Sequence, residues 1–339
     1  MVPRIKSIVK ELDKAYTKLR LTHKHNELAA KYGLDPYQIS RYEALFGSMD
    51  EVIELLETSE NKLFRTIRTN TLKISRDRLI ERLRSKGLVV EEYAPTPYGI
   101  IVWSSPWSLG SLHEYLYGFY TIQGPASMLA VLAFSQGKED NKVILDCCAG
   151  AGIKSTQLGQ HFTSSVIVSI DINRRKLAAL KNNLSRLGIA NIVAIVLDAR
   201  RLRLLNMHFN KILVDAPCSG EGLWPYIKKR RPRSLKDIIS RVTLQYEILS
   251  EAIKFLSHGG ELVYSTCTMS VEENEYVVSK ILEVHDTLKV EPVEFHSMGS
   301  PGEVDYLGLP IDPRLRGCLR LYPHRDRTEG FTICKLVKE

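Results

Sequence analysis

Long apolar runs and metal-type cysteine spacing are missing from this sequence. No stretch of the 339 residues approaches the roughly 20 apolar residues of a membrane helix, and Met1-Val2-Pro3-Arg4-Ile5-Lys6 is no secretory signal. A cytoplasmic protein with no membrane attachment is expected. The only cysteines are Cys147, Cys148, Cys218, Cys267, Cys318 and Cys334, and none stands in a Cys-x-x-Cys pair with a matching partner. That spacing disfavours zinc, and no metal is expected. Reduced thiols in catalytic or buried roles fit this chain better than a disulfide framework. Internal repeats and low-complexity tracts are absent. Acidic residues are fewer than basic ones, 39 against 47, and the net charge of +8 suits a polyanionic partner without fixing the fold. What is present is ordinary for a globular chain, 44% apolar and 25% charged, and long enough for one large α/β domain with a smaller appendage.

Three segments are legible. Residues 1–60 read as helices, with Ile5, Ile8, Val9, Leu12, Tyr16 and Leu19 at helical spacing, one helix ending at Gly33 and another starting at Pro36. Lys6, Lys10, Lys14, Lys18 and Arg20 fit a solvated face. Residues 61–122 read as a small α+β module: strand Thr66–Thr69, helix Arg76–Lys86, strand Leu88–Glu92, then a less regular stretch Ala94–Gly110 carrying Pro95, Pro97 and Pro106. Residues 123–339 alternate strand and helix, the pattern of a mostly parallel sheet with crossover helices.

In that third segment Asp146, Asp171, Asp198, Asp215 and the run Ser265-Thr266-Cys267 fall at the carboxyl ends of apolar strands, the sheet edge where ligands bind in open α/β folds. One aspartate there reads as a helix cap; four in register argue for a site. The loop Cys148-Ala149-Gly150-Ala151-Gly152-Ile153-Lys154 opens a helix, and its small residues and free amides suit a ligand with negative charge. Gly152-Ile153-Lys154-Ser155 separates glycine from lysine, which disfavours an ATP-type phosphate loop. Asp171 stands roughly 20 residues beyond the glycines, where an acid reaches ribose hydroxyls, and Asp198 is placed to accept from an adenine amino group.

Two cysteines sit in distinct motifs after strands, Asp215-Ala216-Pro217-Cys218-Ser219-Gly220 and Tyr264-Ser265-Thr266-Cys267-Thr268. A buried structural thiol explains either one alone. Together they match the needs of methylation at carbon 5 of a pyrimidine, where a thiolate adds at carbon 6 and a second group later assists removal of the carbon-5 proton. This chemistry points to S-adenosylmethionine rather than NAD as the adenosine-containing cofactor.

At these residues the chain resembles the Sun (Fmu) family of RNA cytosine-5 methyltransferases. The resemblance extends to Arg68-Thr69-Asn70-Thr71-Leu72-Lys73, Gln123, Ser127-Met128, Glu273-Asn274-Glu275, Arg320-Leu321-Tyr322-Pro323-His324 and Gly330-Phe331, over about residues 64–339. Lys31-Tyr32-Gly33 and Arg41-Tyr42 are similar to archaeal members acting on tRNA. The family loop usually reads Cys-Ala-Ala-Pro-Gly-Gly-Lys, from which this one departs by lacking the proline and carrying Ile153 for the last glycine. The resemblance implies a Rossmann-like methyltransferase domain, Cys267 as nucleophile, Cys218 assisting release, Asp215 facing the cytosine ring nitrogen and Lys154 orienting the base. It implies cofactor contacts from residues 148–154, Asp171, Lys176, Asp198 and Asp215, and an unpaired or flipped base in RNA, with tRNA the expected substrate and rRNA the alternative. Lys228, Lys229, Arg230 and Arg231 would fit a surface loop, but their position soon after Cys218 favours contacts to RNA phosphates. A DNA enzyme would leave Cys267 unexplained; a non-catalytic RNA-binding factor is supported only by the altered loop.

Overall fold

The computed structural model describes residues 2–58, 62–135, 142–226, 233–295 and 298–339. Four helices come first: α1 (Val2–Tyr16), α2 (His23–Tyr32), α3 (Pro36–Phe46) and α4 (Met49–Glu57). Helix α2 stops at Gly33, whose φ of 68° is the left-handed conformation that lacks a Cβ penalty only in glycine. Helix α3 starts at Pro36 behind Asp35, whose carboxylate accepts from the Tyr37 amide. The apolar faces of α2 to α4, including Leu28, Ile39, Tyr42, Val52 and Leu55, bury together with Trp224, Met269 and Tyr322. Lys6, Lys10, Lys14, Lys18 and Arg20 are exposed, as a solvated face requires.

Next come β1 (Thr66–Thr69), α5 (Arg76–Arg84), β2 (Val89–Glu92), β3 (Gly99–Ser104), α6 (His113–Leu116) and β4 (Tyr120–Ile122). The strands form an antiparallel sheet in the order β2-β3-β1-β4, over a core of Ile67, Leu79, Leu83, Val90, Ile100, Val102 and Tyr120. The stretch expected to be irregular thus contains β3. Pro95, Pro97 and Pro106 flank this strand rather than interrupt it, so no ladder donor is lost.

The remaining elements are α7 (Pro125–Leu132), β5 (Val143–Asp146), α8 (Ile153–His161), β6 (Val166–Asp171), α9 (Arg174–Leu187), β7 (Ile192–Val196), β8 (Phe209–Asp215), α10 (Leu235–Lys254), β9 (Leu256–Thr266), α11 (Val277–Leu282), β10 (Leu288–Glu291), β11 (Ser300–Pro301), β12 (Leu319–Leu321), α12 (Pro323–Asp326) and β13 (Phe331–Lys338).

The chain divides into two compact units. The first collects Met1–Leu63, Ala216–Ser250 and Ser265–Cys334; the second, Phe64–Asp215, Glu251–Tyr264 and Lys335–Glu339. In the second unit β5 pairs in parallel with β6 and β8, and β6 with β7, giving the order β7-β6-β5-β8 of a Rossmann-like sheet. In the first unit β12 pairs antiparallel with β11 and with the start of β13. Cys318 and Cys334 form a disulfide there, against the expectation of six reduced thiols. The register pairing Leu319 with Ile333 sets the two cysteines opposite each other, with Cα atoms 4.4 Å apart; tertiary pairing of strands, not motif spacing, makes the bond possible.

Candidate active site

In the first unit the two motif cysteines meet. Cys267 lies just past the end of β9 and Cys218 in the loop opened by Ala216, and their sulfurs are 3.4 Å apart, both half-buried. The residues after them are tied directly, Ser219 Oγ to Thr268 Oγ1 at 2.8 Å. Glu273 Oε2 accepts from the Ser219 amide at 2.8 Å and from Gln245 Nε2 at 2.9 Å, while the same Gln245 nitrogen donates to the Pro217 carbonyl. On the other loop, Thr266 Oγ1 donates to Asn274 Oδ1 at 2.6 Å and Asn274 Nδ2 to the Thr268 carbonyl at 3.1 Å. The Gly222 amide donates to the Cys267 carbonyl, and a Cβ on Gly222 would strike the carbonyl of Gly330. Glu273 and Asn274 belong to a π-helical turn, Glu272–Tyr276, whose side chains are all buried. Burial, then the neighbouring Glu221, pushes the Glu273 carboxyl up to about 7.

In the second unit the loop after β5 turns back on itself through Gly150 (φ 56°) and Gly152 (φ 83°) before α8 begins at Ile153. A Cβ on Gly152 would collide with the side chain of Leu180. Among the described residues, and leaving out its own chain neighbours, nothing lies within 4 Å of where a Gly150 Cβ would point. Asp171, at the end of β6, accepts from the Gly150 amide at 2.9 Å and from the Asn173 amide at 2.7 Å. Lys154 Nζ donates to Asp215 Oδ2 at 2.8 Å. Asp146 is buried and bound by Ser155 Oγ and the Cys148 amide; burial, then the Asp215 charge, pushes it up to about 7. Burial, followed by Cys147 and Asp146, pushes the Cys148 thiol well above the usual range.

Asp198 lies two residues beyond β7, where it caps a short 3-10 turn and pairs with Arg200, whose hydrogen bond lowers its pKa. Its carboxylate is therefore engaged rather than held open. Lys176 sits in the first turn of α9, its amide capped by Asn173. Lys228, Lys229, Arg230 and Arg231 lie outside the described residues. Missing from the sequence-based site are Gln245, for which no local signal exists, and Thr268 and Arg41, which stood in quoted motifs with no role assigned. Glu273 and Asn274 stood in a recognised motif, but the tie from Glu273 to the Cys218 loop spans 54 residues.

The fold agrees with comparisons to known proteins. Residues 133–337 match the family described as 16S rRNA methyltransferase RsmB/F, and residues 37–106 match an RsmF/B-like ferredoxin-like domain. The chain is 33% identical to the 26S rRNA (cytosine-C(5))-methyltransferase nsun-1 of Caenorhabditis elegans, over 92% of this chain and 48% of that protein. It is 37% identical to the tRNA (cytosine(72)-C(5))-methyltransferase of Pyrococcus horikoshii, over 68% of this chain and 55% of that protein. The crystal structure of a methyltransferase homolog from Pyrococcus horikoshii aligns with a TM-score of 0.83 and 31% identity, covering 94% of this chain and 100% of that one. Against these curated relatives the chain spans about half of their length. With the paired cysteine motifs, the Rossmann-like sheet and a match over residues 133–337, the chain belongs to the Sun, or RsmB/F, family of methyltransferases.

Proposed function

We propose that this chain methylates carbon 5 of cytosine in RNA, with S-adenosylmethionine as donor and tRNA as substrate. The observation that carries the reading is the 3.4 Å separation of the Cys218 and Cys267 sulfurs, which lets two thiols from different loops serve one pyrimidine ring. The Cys267 thiolate adds to carbon 6, breaking the 5,6 double bond and making carbon 5 nucleophilic. When bound, S-adenosylmethionine would supply the electrophilic methyl group that this carbon attacks. Cys218 then assists loss of the carbon-5 proton, the electron pair re-forms the double bond, and the Cys267 sulfur leaves as thiolate.

The second unit offers features that fit such a donor: open space before the Gly150 backbone, the amides at the start of α8, and the Asp171 carboxylate beside them. Asp171 would take the ribose, and Lys176 and Asp198 would flank the adenosine, Asp198 only by sharing or exchanging its Arg200 contact. Lys154 and Asp215 would bind the cytosine ring as a charge-paired donor and acceptor. Residues 61–122, and Lys228 to Arg231 on sequence grounds, would contact the RNA backbone.

The tRNA reading draws support from the 37% identity to the Pyrococcus horikoshii tRNA enzyme, and the rRNA reading from the longer match to nsun-1. Methyl transfer to separate tRNA and rRNA transcripts, followed by bisulfite sequencing, tests both. New 5-methylcytosine in tRNA alone is expected; methylation confined to rRNA replaces the substrate, and none in either rejects the activity.

A further inference from the structure

Helix α3 sends one guanidinium to both cysteine loops. Arg41 is 2% exposed; its Nε and Nη2 donate to Glu272 Oε1 and Oε2 at 2.8 and 2.9 Å, while Nη1 donates to Glu221 Oε1 at 2.8 Å. Glu221 stands three residues beyond Cys218 and Glu272 five beyond Cys267, and both carboxylates are buried. From the structure we infer that Arg41 is a positioning residue, which fixes the approach of the Cys218 and Cys267 sulfurs by clamping the loops that carry them. The inference rests on the proposed reaction for its purpose, though not for its geometry.

Two buried carboxylates brought together without a cation would repel and lack solvation, so Arg41 adds a charge-paired clamp to the direct Ser219–Thr268 and Gly222–Cys267 ties between the loops. The fork is also specific. A guanidinium can bind one carboxylate through two parallel hydrogen bonds and still present a third edge to the other; a lysine ammonium is a point charge on a flexible stem and cannot hold both in register. Ser270 Oγ completes the Glu272 carboxylate at 2.7 Å, and the Gly222 amide, next to Glu221, grips the Cys267 carbonyl at 3.1 Å, so a shift at either carboxylate reaches a sulfur through only a few bonds.

The test uses the full chain and phenylarsine oxide. Its arsenic forms two As–S bonds to adjacent thiols and releases one water, with no change of oxidation state, and it binds tightly only where the sulfurs are already near each other. Cys218→Ala supplies the blank, which subtracts capture by any other thiol. Arg41→Lys is expected to weaken arsenical binding on the order of 10-fold by loss of preorganisation, with the melting curve still cooperative. For methylation, its kcat should fall on the order of 10- to 100-fold with KM for RNA unchanged, since an error of about 1 Å costs that much. Glu221→Gln is nearly isosteric, keeps an acceptor for Nη1, and should shift both quantities the same way by a smaller factor; it decides the matter if Arg41→Lys does not fold. Wild-type arsenical affinity in a folded variant overturns the inference. Because the arsenical needs neither RNA nor cofactor, a wild-type chain that fails to methylate RNA would sink the proposed function while leaving this measurement valid.

Discussion

Around the glycine loop of the second unit, each carboxylate takes an amide two residues away, Asp146 that of Cys148, Asp171 that of Asn173 and Asp198 that of Arg200, and two longer ties are added, Asp171 to the Gly150 amide across 21 residues and Lys154 to Asp215 across 61. Around the cysteines of the first unit the partners are remote. Ser219 meets Thr268 across 49 residues, Glu273 the Ser219 amide across 54, and Arg41 meets Glu221 and Glu272 across 180 and 231. Arg320 repeats the device with Glu275, across 45 residues and fully buried. A locally tied loop keeps its shape as long as its own strand and helix persist. A remotely tied one depends on the whole unit, and its buried charges make the dependence steep, since removing one partner of such a pair costs about 3–5 kcal/mol.

The sharpest way to break this comparison is at the sulfurs themselves. Cys267→Ala is expected to reduce methylation to background and to form no covalent RNA adduct, whereas Cys218→Ala should form an adduct that survives a denaturing gel. Adducts in the first variant and none in the second would reverse the two roles.

On the locally tied side, Asp171→Ala removes a charge-assisted contact proposed for the ribose. Such contacts are worth about 1.5–3 kcal/mol, so the cofactor dissociation constant should rise roughly 10- to 150-fold while the melting temperature changes little. Calorimetry with an unchanged constant would take Asp171 out of the cofactor site.

A smaller effect is read by pH, where Glu273 in the first unit and Asp146 in the second are both pushed up to about 7, so the Glu273 share must be isolated by substitution. Glu273 sits at about 7 when folded against 4.5 for an ordinary glutamate, so the folded chain holds this proton more tightly than the unfolded one. The resulting stability is complete below about pH 4.5 and is lost as pH rises through 7, amounting to about 3 kcal/mol between the limits. Thermal melts from about pH 5 to 8 should therefore show a decline that is shallower in Glu273→Gln, which keeps an acceptor for the Ser219 amide. Identical slopes in the two proteins would remove Glu273 as the titrating group.

The smallest expected change lies on the segment proposed to meet RNA phosphates. Neutralising Lys228, Lys229, Arg230 and Arg231 together should flatten the salt dependence of tRNA binding without moving the target base, because phosphate contacts release counterions and carry no sequence information. A slope equal to that of the wild type would return the segment to a solvated surface.

Helix ends and parallel strands were legible where the signal is short-range. Gly33 and Pro36 mark α2 and α3 through backbone constraints of their own, and the apolar triplets of β5, β6 and β8 fit strands of a largely buried parallel sheet. Strand β3 was missed because three prolines surround it, and a proline just outside a strand reads in sequence like one inside it. The Cys318–Cys334 bond was missed because two cysteines 16 residues apart have no spacing rule; they become neighbours only when β12 pairs with β13.

For the site, the sequence by itself determined which side chains are candidate nucleophiles, which loop is small enough to approach a ligand, and which carboxylates end strands. These properties belong to single residues and their immediate neighbours, where covalent geometry and strand or helix period leave few alternatives. The tertiary structure alone decided the 3.4 Å between the sulfurs and the recruitment of Arg41 from α3 and Gln245 from α10. A buried charge or amide finds its partner wherever desolvation makes the pairing compulsory, and that partner has no reason to be near in sequence.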